Sequence, residues 1–238
     1  MSILILLIVA LLPAALLWAY IWKKDPKKEP TPLLIKAGLY GAGICIPVGL
    51  LEYGIQIMLF GESRMPTTLL GSTTMAFFVA AIPEEAFKLL ALWLVVRHNP
   101  YFDEHFDGIV YAVCVGLGFA AFENVGYVLS GSGNWVMVAV SRSLLAVPGH
   151  YAFAVLMGYY YSLYHFVHRS TRNKVLILLA PVLAHGLYDT FCMSTTISPV
   201  VGSVAAILMV FFCIKMHKFA YKKVLAHIQN DQEGVNMA

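Results

Sequence analysis

Charged residues are scarce in this chain: only 12% of its 238 residues are Asp, Glu, Lys or Arg, whereas 60% are hydrophobic. A soluble domain is usually about a quarter charged, so the composition excludes an ordinary soluble protein. Apolar runs of about 20 residues, the length that a helix needs to cross a bilayer, recur from end to end. The runs lack the alternating polarity of membrane-spanning strands. We therefore predict an all-α, polytopic membrane helix bundle.

Cysteine is scarce as well and gives no sign of chemistry. The four cysteines fall inside the apolar runs and have neither metal-site nor redox spacing. The motif HExxH is absent, which excludes a zincin. Soluble domains, tandem repeats and low-complexity tracts are also absent, so any chemistry must lie in the membrane.

The apolar runs number seven, at about 3–22, 34–60, 71–96, 108–129, 135–166, 175–194 and 199–216. The first run has no positive charge before it, and the basic segment KKDPKK follows it. A secretory signal peptide instead carries positive charge before its apolar core and small residues at a cleavage site after it. We therefore expect seven transmembrane helices, the first of them an uncleaved anchor.

Positive charge is distributed unevenly among the connections between these runs. With seven spans, every Lys and Arg lies on one side of the membrane except Arg64 on the other side and Lys88 and Arg142 within spans. The positive-inside rule then predicts an outside N-terminus and a cytoplasmic C-terminus.

Ionisable and strongly polar residues interrupt four of the apolar runs. One such group at mid-membrane costs about 2.5–3.5 kcal/mol on insertion scales, and it normally faces the bundle interior and serves a function. Because the summed cost exceeds the typical stability of a domain, about 5–15 kcal/mol, these residues must contact one another. We expect a single site that is built from Glu84, Glu85 and Lys88 in the third run, Glu123 and Asn124 in the fourth, His150 in the fifth, and His185 and Asp189 in the sixth.

Local spacing supports this site. Glu84 and Lys88 are four residues apart, as are His185 and Asp189, so each pair shares a helix face, and the second carboxylate can orient its imidazole. Glu85 points about 100° away from Glu84, toward a neighbouring helix or a cavity. Prolines shortly before the glutamate pair and before the histidine of the fifth run can kink those helices and admit water.

These residue types match the needs of hydrolysis by activated water. One carboxylate can take a proton from water, histidines can position the water or protonate a leaving amine, and donors can stabilise an oxyanion. Ser141 and Ser143 are weaker nucleophile candidates because they lie in a different part of the fifth run from His150. Histidines and carboxylates also bind zinc. The spacing does not require zinc and the lysine favours direct carboxylate catalysis, so we expect no metal and no cofactor.

Four segments carry a resemblance to a known family: EEAFK at 84–88, FAAFENVGY at 119–127, SRSLLAVPGHYAFAVLMGYYY at 141–161 and AHGLYD at 184–189. Their combination and order resemble the PrsW family of intramembrane proteases and, more distantly, the superfamily of CAAX-prenyl endopeptidases and bacteriocin-processing enzymes. In the wider superfamily a histidine usually follows Phe-x-x-x. Here Phe119 is followed by Glu123, and His150 is our candidate to replace that histidine.

The resemblance implies a glutamate-dependent membrane peptidase of the bacterial plasma membrane. It would make the first, site-one cut in a membrane-anchored anti-sigma factor, on the extracytoplasmic side, and so start the release of a sigma factor in envelope stress signalling. Its partners would be a single-span membrane protein and the lipid bilayer, with no nucleic acid. By position, Glu84 and Glu85 match the glutamate pair, and His185 with Asp189 matches the second histidine motif of the superfamily.

The superfamily pattern makes Glu84 our first candidate for the general base, although spacing leaves Glu85 open because Lys88 can reach either. We expect catalytic roles for His150, His185 and Glu123 as well. In support we expect Lys88 as a charge partner, Asn124 as an oxyanion donor and Asp189 as an orienting carboxylate. Arg142 should snorkel or pair with Glu52 or Glu123, and we place Glu52 near the outer interface, outside the site.

Two other classes of function remain open at this point. A proton- or ion-coupled transporter also uses buried Glu, His and Lys residues as a relay, and a scaffold would hold single-span partners without chemistry. Transporters often carry paired inverted repeats, but the PEE of the third run has no counterpart in the last three runs.

The predicted spans and the basic connections divide the chain into three parts. These are an anchor with a basic cytoplasmic loop (1–30), a protease bundle (31–216) with its catalytic core at 72–192, and a cytoplasmic polar tail (217–238) that we expect to fray.

Overall fold

The computed structural model describes residues 3–61, 66–130 and 135–234. Its α-helices in these ranges are α1 (Ile3–Lys24), α2 (Thr31–Phe60), α3 (Leu69–Thr74), α4 (Ile82–Val96), α5 (His105–Leu129), α6 (Trp135–Ser141), α7 (Val147–Ser162), α8 (Thr171–Ser194) and α9 (Pro199–Gln232). Three π-helical segments continue them, at Met75–Ala81, Arg142–Ala146 and Leu163–Val167. The described ranges contain no β-strand, which confirms the all-α class.

Six helical stretches are long and apolar enough to cross a membrane: Ile5–Lys24, Thr31–Phe60, His105–Leu129, Trp135–Val167, Thr171–Ser194 and Pro199–Gln232. They confirm a polytopic membrane bundle. The remaining predicted span, 71–96, coincides with an unbroken helical path through α3, the first π-helical segment and α4, and it carries Glu84, Glu85 and Lys88. The count of seven spans and the orientation of the termini stay predictions, and Arg64 lies outside the described residues.

Two of the π-helical segments end next to the prolines at the starts of α4 and α7. Proline lacks an N–H group, and its ring clashes with the carbonyl four residues earlier. Just before each proline the backbone hydrogen bond spans five residues, from the Ile82 N–H to the Phe77 carbonyl and from the Val147 N–H to the Arg142 carbonyl. Such π-helical turns are frequent at functional sites. Here they set the direction around the helix axis in which the polar side chains that follow point.

The centre of the bundle is α5, in which every residue from 105 to 120 is buried. Helices α1, α2 and α7 pack around it. Large apolar side chains such as Leu50, Met58 and Leu70 are exposed on the outside of the bundle. An apolar exterior of this kind suits contact with the hydrocarbon core of a bilayer.

Glycines allow α5 and α7 to approach closely. A Cβ atom at Gly158 would lie 2.3 Å from the carbonyl oxygen of Gly108, whereas a Cβ atom at Gly126 would meet nothing within 4 Å. We expect Gly158→Ala to lower the free energy of unfolding in detergent by about 1–3 kcal/mol, because the helices must move apart. The matched Gly126→Ala should leave stability unchanged or raise it by up to about 1 kcal/mol, because alanine favours a helix. Equal effects of the two changes would contradict the close packing.

The last helix is longer than predicted, and the expectation of a frayed tail is wrong as far as Gln232, where α9 ends. His227 is fully buried against the bundle. Asp231 accepts hydrogen bonds from the backbone N–H groups of His105 (2.8 Å) and Phe106 (2.9 Å). These groups belong to the first turn of α5 and have no acceptor within that helix. The tail is therefore ordered because it caps the central helix.

Candidate active site

The Lys88 ammonium lies at the centre of the polar site. Its Nζ atom is 2.9 Å from Oε2 of Glu84, 2.8 Å from Oε1 of Glu85 and 3.0 Å from Nδ1 of His150. It also lies 4.2 Å from the centre of the Phe119 ring. All of these side chains are buried. Because an isolated buried charge is costly, these contacts explain how a lysine is accommodated among apolar residues.

His185 is held between two carboxylates. Its Nδ1 is 2.9 Å from Oε1 of Glu85, and its Nε2 is 3.2 Å from Oδ2 of Asp189, as the four-residue spacing predicts. The ring also stacks on Phe153, with centroids 4.7 Å apart. Since carboxylates accept hydrogen bonds, His185 can donate from both ring nitrogens.

His150 connects the lysine to a further carboxylate. Because the Lys88 ammonium can only donate, the hydrogen-bond partners assign Nδ1 of His150 as an acceptor. Its other nitrogen, Nε2, is 3.0 Å from Oε2 of Glu123 and therefore carries the proton. The same Glu123 oxygen accepts from Nη2 of Arg142 at 2.6 Å. This contact confirms one of the two partners predicted for the arginine.

Asn124 bridges the site to the first helix. Its Nδ2 donates to the Ala10 carbonyl at 2.7 Å, and its Oδ1 accepts from Nε of Arg142 at 2.9 Å. The side chain is fully buried and does not line the cavity into which the site opens. Its role as an oxyanion donor stays a prediction, whereas its bridging contacts are part of the structure.

A cavity of about 360 Å³ opens onto this network. Its polar lining includes Glu52, Glu84, Glu123, Tyr127, Ser141, Arg142, His150, His185, Tyr188 and Asp189. Glu84 reaches the cavity, whereas Glu85 has no exposed surface and lies behind it, in contact with Lys88 and His185. The two adjacent glutamates therefore have different surroundings: one faces a space for substrate, and the other holds the polar network together.

Four side chains offer donor atoms for a metal ion. One atom each from Glu84, Glu85, His150 and His185 lies within 4.8 Å of the others. Nitrogen and carboxylate donors of this kind suit zinc. Three of the four residues, however, already bind the Lys88 ammonium. The residue types fit a divalent ion, but in this arrangement the ammonium competes for their donor atoms.

Glu52 belongs to the site, and the prediction that it lies near the outer interface, outside the site, is wrong. In the structure this carboxylate of α2 lines the same cavity as Glu84 and Glu123. Its Oε1 atom is buried and has no hydrogen-bond partner within the described ranges. The sequence feature that points to Glu52 as a site residue is its position inside an apolar run. Depth counted along a helix does not show which way a side chain points, so depth alone does not place Glu52 in the cavity.

We expect Glu52→Met to raise the free energy of unfolding by about 1–3 kcal/mol, because it removes an unsatisfied buried oxygen. The matched change Glu123→Met should lower it, since it takes a partner from both His150 and Arg142. Unfolding of the two variants in detergent checks the difference. A loss of stability in Glu52→Met as large as that in Glu123→Met would show that Glu52 has a partner after all.

Comparison with known proteins identifies the family of this chain. A family model described as "PrsW family intramembrane metalloprotease" matches residues 29–216. The chain is 34% identical to a Protease PrsW of Oceanobacillus iheyensis, over 74% of this chain and 78% of the relative, and 34% identical to one of Clostridioides difficile, over 79% of both. It is 33% identical to a Protease PrsW of Bacillus subtilis, over 74% of this chain and 78% of the relative. No solved structure matches it. The chain therefore belongs to the PrsW family of intramembrane proteases and is a multi-pass membrane peptidase.

Proposed function

We propose that this peptidase cuts a single-span membrane protein on the extracytoplasmic side of the membrane, with a water molecule that Glu84 activates. The observation that carries the proposal is the position of Glu84. It is the one member of the glutamate pair that lines the cavity, and it lies within reach of Lys88 and both histidines.

In the first step Glu84 accepts a proton from water, and the hydroxide attacks the carbonyl carbon of the scissile peptide. The Lys88 ammonium and the buried Glu85 hold the base in place from behind. Arg142 supports the oxyanion that forms. Its Nε and Nη2 are engaged by Asn124 and Glu123, and the guanidinium has further N–H groups to offer at the cavity wall.

In the second step the C–N bond breaks and the leaving amine takes a proton from His185. This histidine is the candidate acid because it lines the cavity and its two nitrogens face Glu85 and Asp189. The proton held by Glu84 then restores His185, whose Nε2 is 4.0 Å from Oε1 of Glu84. The net reaction is hydrolysis, with no covalent enzyme intermediate.

The description of the family as metalloproteases implies a metal ion, and the residues that would hold it are Glu84, Glu85, His150 and His185. A divalent ion there would polarise the substrate carbonyl. The proposed steps use none, because Lys88 supplies a positive charge to three of these residues.

We further propose that the substrate is an anti-sigma factor and that the cut lies on the extracytoplasmic side. The cavity is lined by residues near the predicted outer ends of helices, such as Tyr127 and Thr195, if the basic connections are cytoplasmic. That position suits a cut just outside the membrane. The resemblance to the PrsW family supports an anti-sigma factor as the substrate and its site-one cut as the reaction.

The test is reconstitution in liposomes with anti-sigma factors from the same cell, beside single-span proteins that lack an anti-sigma domain. We expect the anti-sigma factors alone to be cut, and the new terminus to lie on the extracytoplasmic side when the fragments are sequenced. Equal cutting of both sets would contradict the substrate, and a cytoplasmic terminus would contradict the predicted side.

A further inference from the structure

A second, larger groove lies between α4 and α8, away from the active-site cavity. It has a volume of about 1000 Å³ and is open to the outside of the bundle. From α4 it is lined by Ile82, Ala86, Leu89, Leu90 and Trp93, which recur at helical spacing along one face. Leu90 is 47% exposed and Trp93 44%, so these two side chains are left largely uncovered by the described chain.

The length of the groove matches one leaflet of a bilayer. From Ile82 to Trp93 the helix rises about 16 Å at about 1.5 Å per residue. Half the hydrocarbon core of a bilayer is about 15 Å. The Trp93 end also has the residue types of a membrane interface, since the Arg97 guanidinium lies 4.6 Å from the tryptophan ring centre. The groove therefore runs from the interface to about the middle of the membrane.

Polar groups gather at the opposite wall of the groove. Lys174, Tyr161 and Tyr164 line it together with apolar residues of α8. Neither the Lys174 ammonium nor either phenol oxygen has a hydrogen-bond partner in the part of the chain that the structure describes. Lys174 belongs to the first turn of α8, beside the basic connection that the positive-inside rule assigns to the cytoplasm.

We propose that this groove binds a phospholipid of the cytoplasmic leaflet, with its phosphate on Lys174 and an acyl chain along the α4 stripe. The cationic rim favours an anionic lipid such as phosphatidylglycerol, since basic pockets between helices on this side suit lipid head groups. The same rim disfavours a substrate helix, whose own cytoplasmic flank is expected to be basic.

The bound chain would also reach the catalytic helices. Ala86 directly follows Glu85 in α4, and Val182 of α8 lies three residues before His185. An acyl chain in the groove would therefore support, from the cytoplasmic half, the two helices whose contact holds the glutamate pair against the histidine.

The test uses the full chain, purified from membranes that contain phosphatidylglycerol and examined by native mass spectrometry. We expect the wild type to retain phosphatidylglycerol in preference to phosphatidylcholine. Lys174→Glu should lose that preference, and Ala86→Trp, which fills the groove, should lower retention several-fold. The matched controls are Lys222→Glu on exposed α9 and Leu50→Trp on the exposed face of α2, which should behave as the wild type.

A photo-crosslinking residue at position 90 identifies the occupant directly. Attachment of a phospholipid supports the proposal, while attachment of a co-reconstituted single-span substrate would assign the groove to a protein helix instead. Equal lipid retention by Ala86→Trp and Leu50→Trp would also overturn it. Both readouts are independent of peptidase activity, so they can fail while the proposed reaction stands.

Discussion

Replacing Glu84 with Gln should lower the single-turnover cleavage rate by about 10²–10⁴-fold, the range that a general base contributes. The amide has nearly the shape of the carboxylate but cannot accept the proton from water. Glu84 lines the cavity and contacts Lys88 at 2.9 Å, so the change removes the base while leaving a group that still fills its place. The measurement is the cleavage of a reconstituted single-span substrate in liposomes, with enzyme in excess.

Two further variants show whether the loss of cleavage is specific to Glu84. Glu233→Gln, in an exposed residue after the end of α9, should cleave at the wild-type rate. Glu85→Gln should slow cleavage less than Glu84→Gln, because Glu85 is buried behind the cavity and acts through Lys88 and His185. Substrate binding should persist in both glutamate variants. If Glu84→Gln cleaved as fast as Glu233→Gln, Glu84 would not be the base.

Replacing Lys88 with Met should have the largest effect on stability. It leaves the two glutamates buried without the cation that both contact. Removing one partner from a buried ion pair typically costs about 3–5 kcal/mol, because the remaining charge is uncompensated. We expect a loss of this size in the free energy of unfolding in detergent, together with loss of cleavage.

The double variant Lys88→Met with Glu85→Gln separates charge balance from packing. It removes one negative charge along with the positive one, so we expect it to recover part of the lost stability but not the activity. If Glu85→Gln lowered the stability of the Lys88→Met variant as much as it lowers that of the wild type, the two residues would not be coupled. That result would contradict the inference that Lys88 balances the charge of the glutamates.

Membership in a protease family decides between the functional classes that the sequence leaves open. The relatives match most of the chain and are named as proteases. This favours the peptidase over the transporter and the scaffold. The geometry agrees, because the buried groups form a compact cluster beside a single cavity. A relay across the membrane would instead need groups at successive depths.

Much of the site could be predicted because its contacts follow from helix geometry and from the cost of polar groups in lipid. The four-residue spacings of Glu84 with Lys88 and of His185 with Asp189 follow from helix geometry alone, and both contacts are present. The convergence of four spans follows from the cost of isolated polar groups in lipid. The helix bundle itself follows from composition and the length of the apolar runs.

What could not be predicted depends on rotation and on distant contacts. Which glutamate faces the cavity depends on the π-helical segment before α4, whose hydrogen-bond shift rotates the helix that follows. The bridge from Asn124 to Ala10 and the position of Glu52 require the placement of α1 and α2. The order of the tail depends on Asp231, which meets α5 only in the folded chain.

We propose that a lysine ammonium, rather than a metal ion, holds both glutamates and His150 in the site that activates water. The most direct test is cleavage of the reporter substrate by purified enzyme after exhaustive treatment with a strong chelator, with metal content measured on the same sample. We predict an unchanged cleavage rate at substoichiometric metal. Loss of cleavage on chelation, with recovery when zinc is restored, would contradict the claim and assign Glu84, Glu85, His150 and His185 to a metal centre.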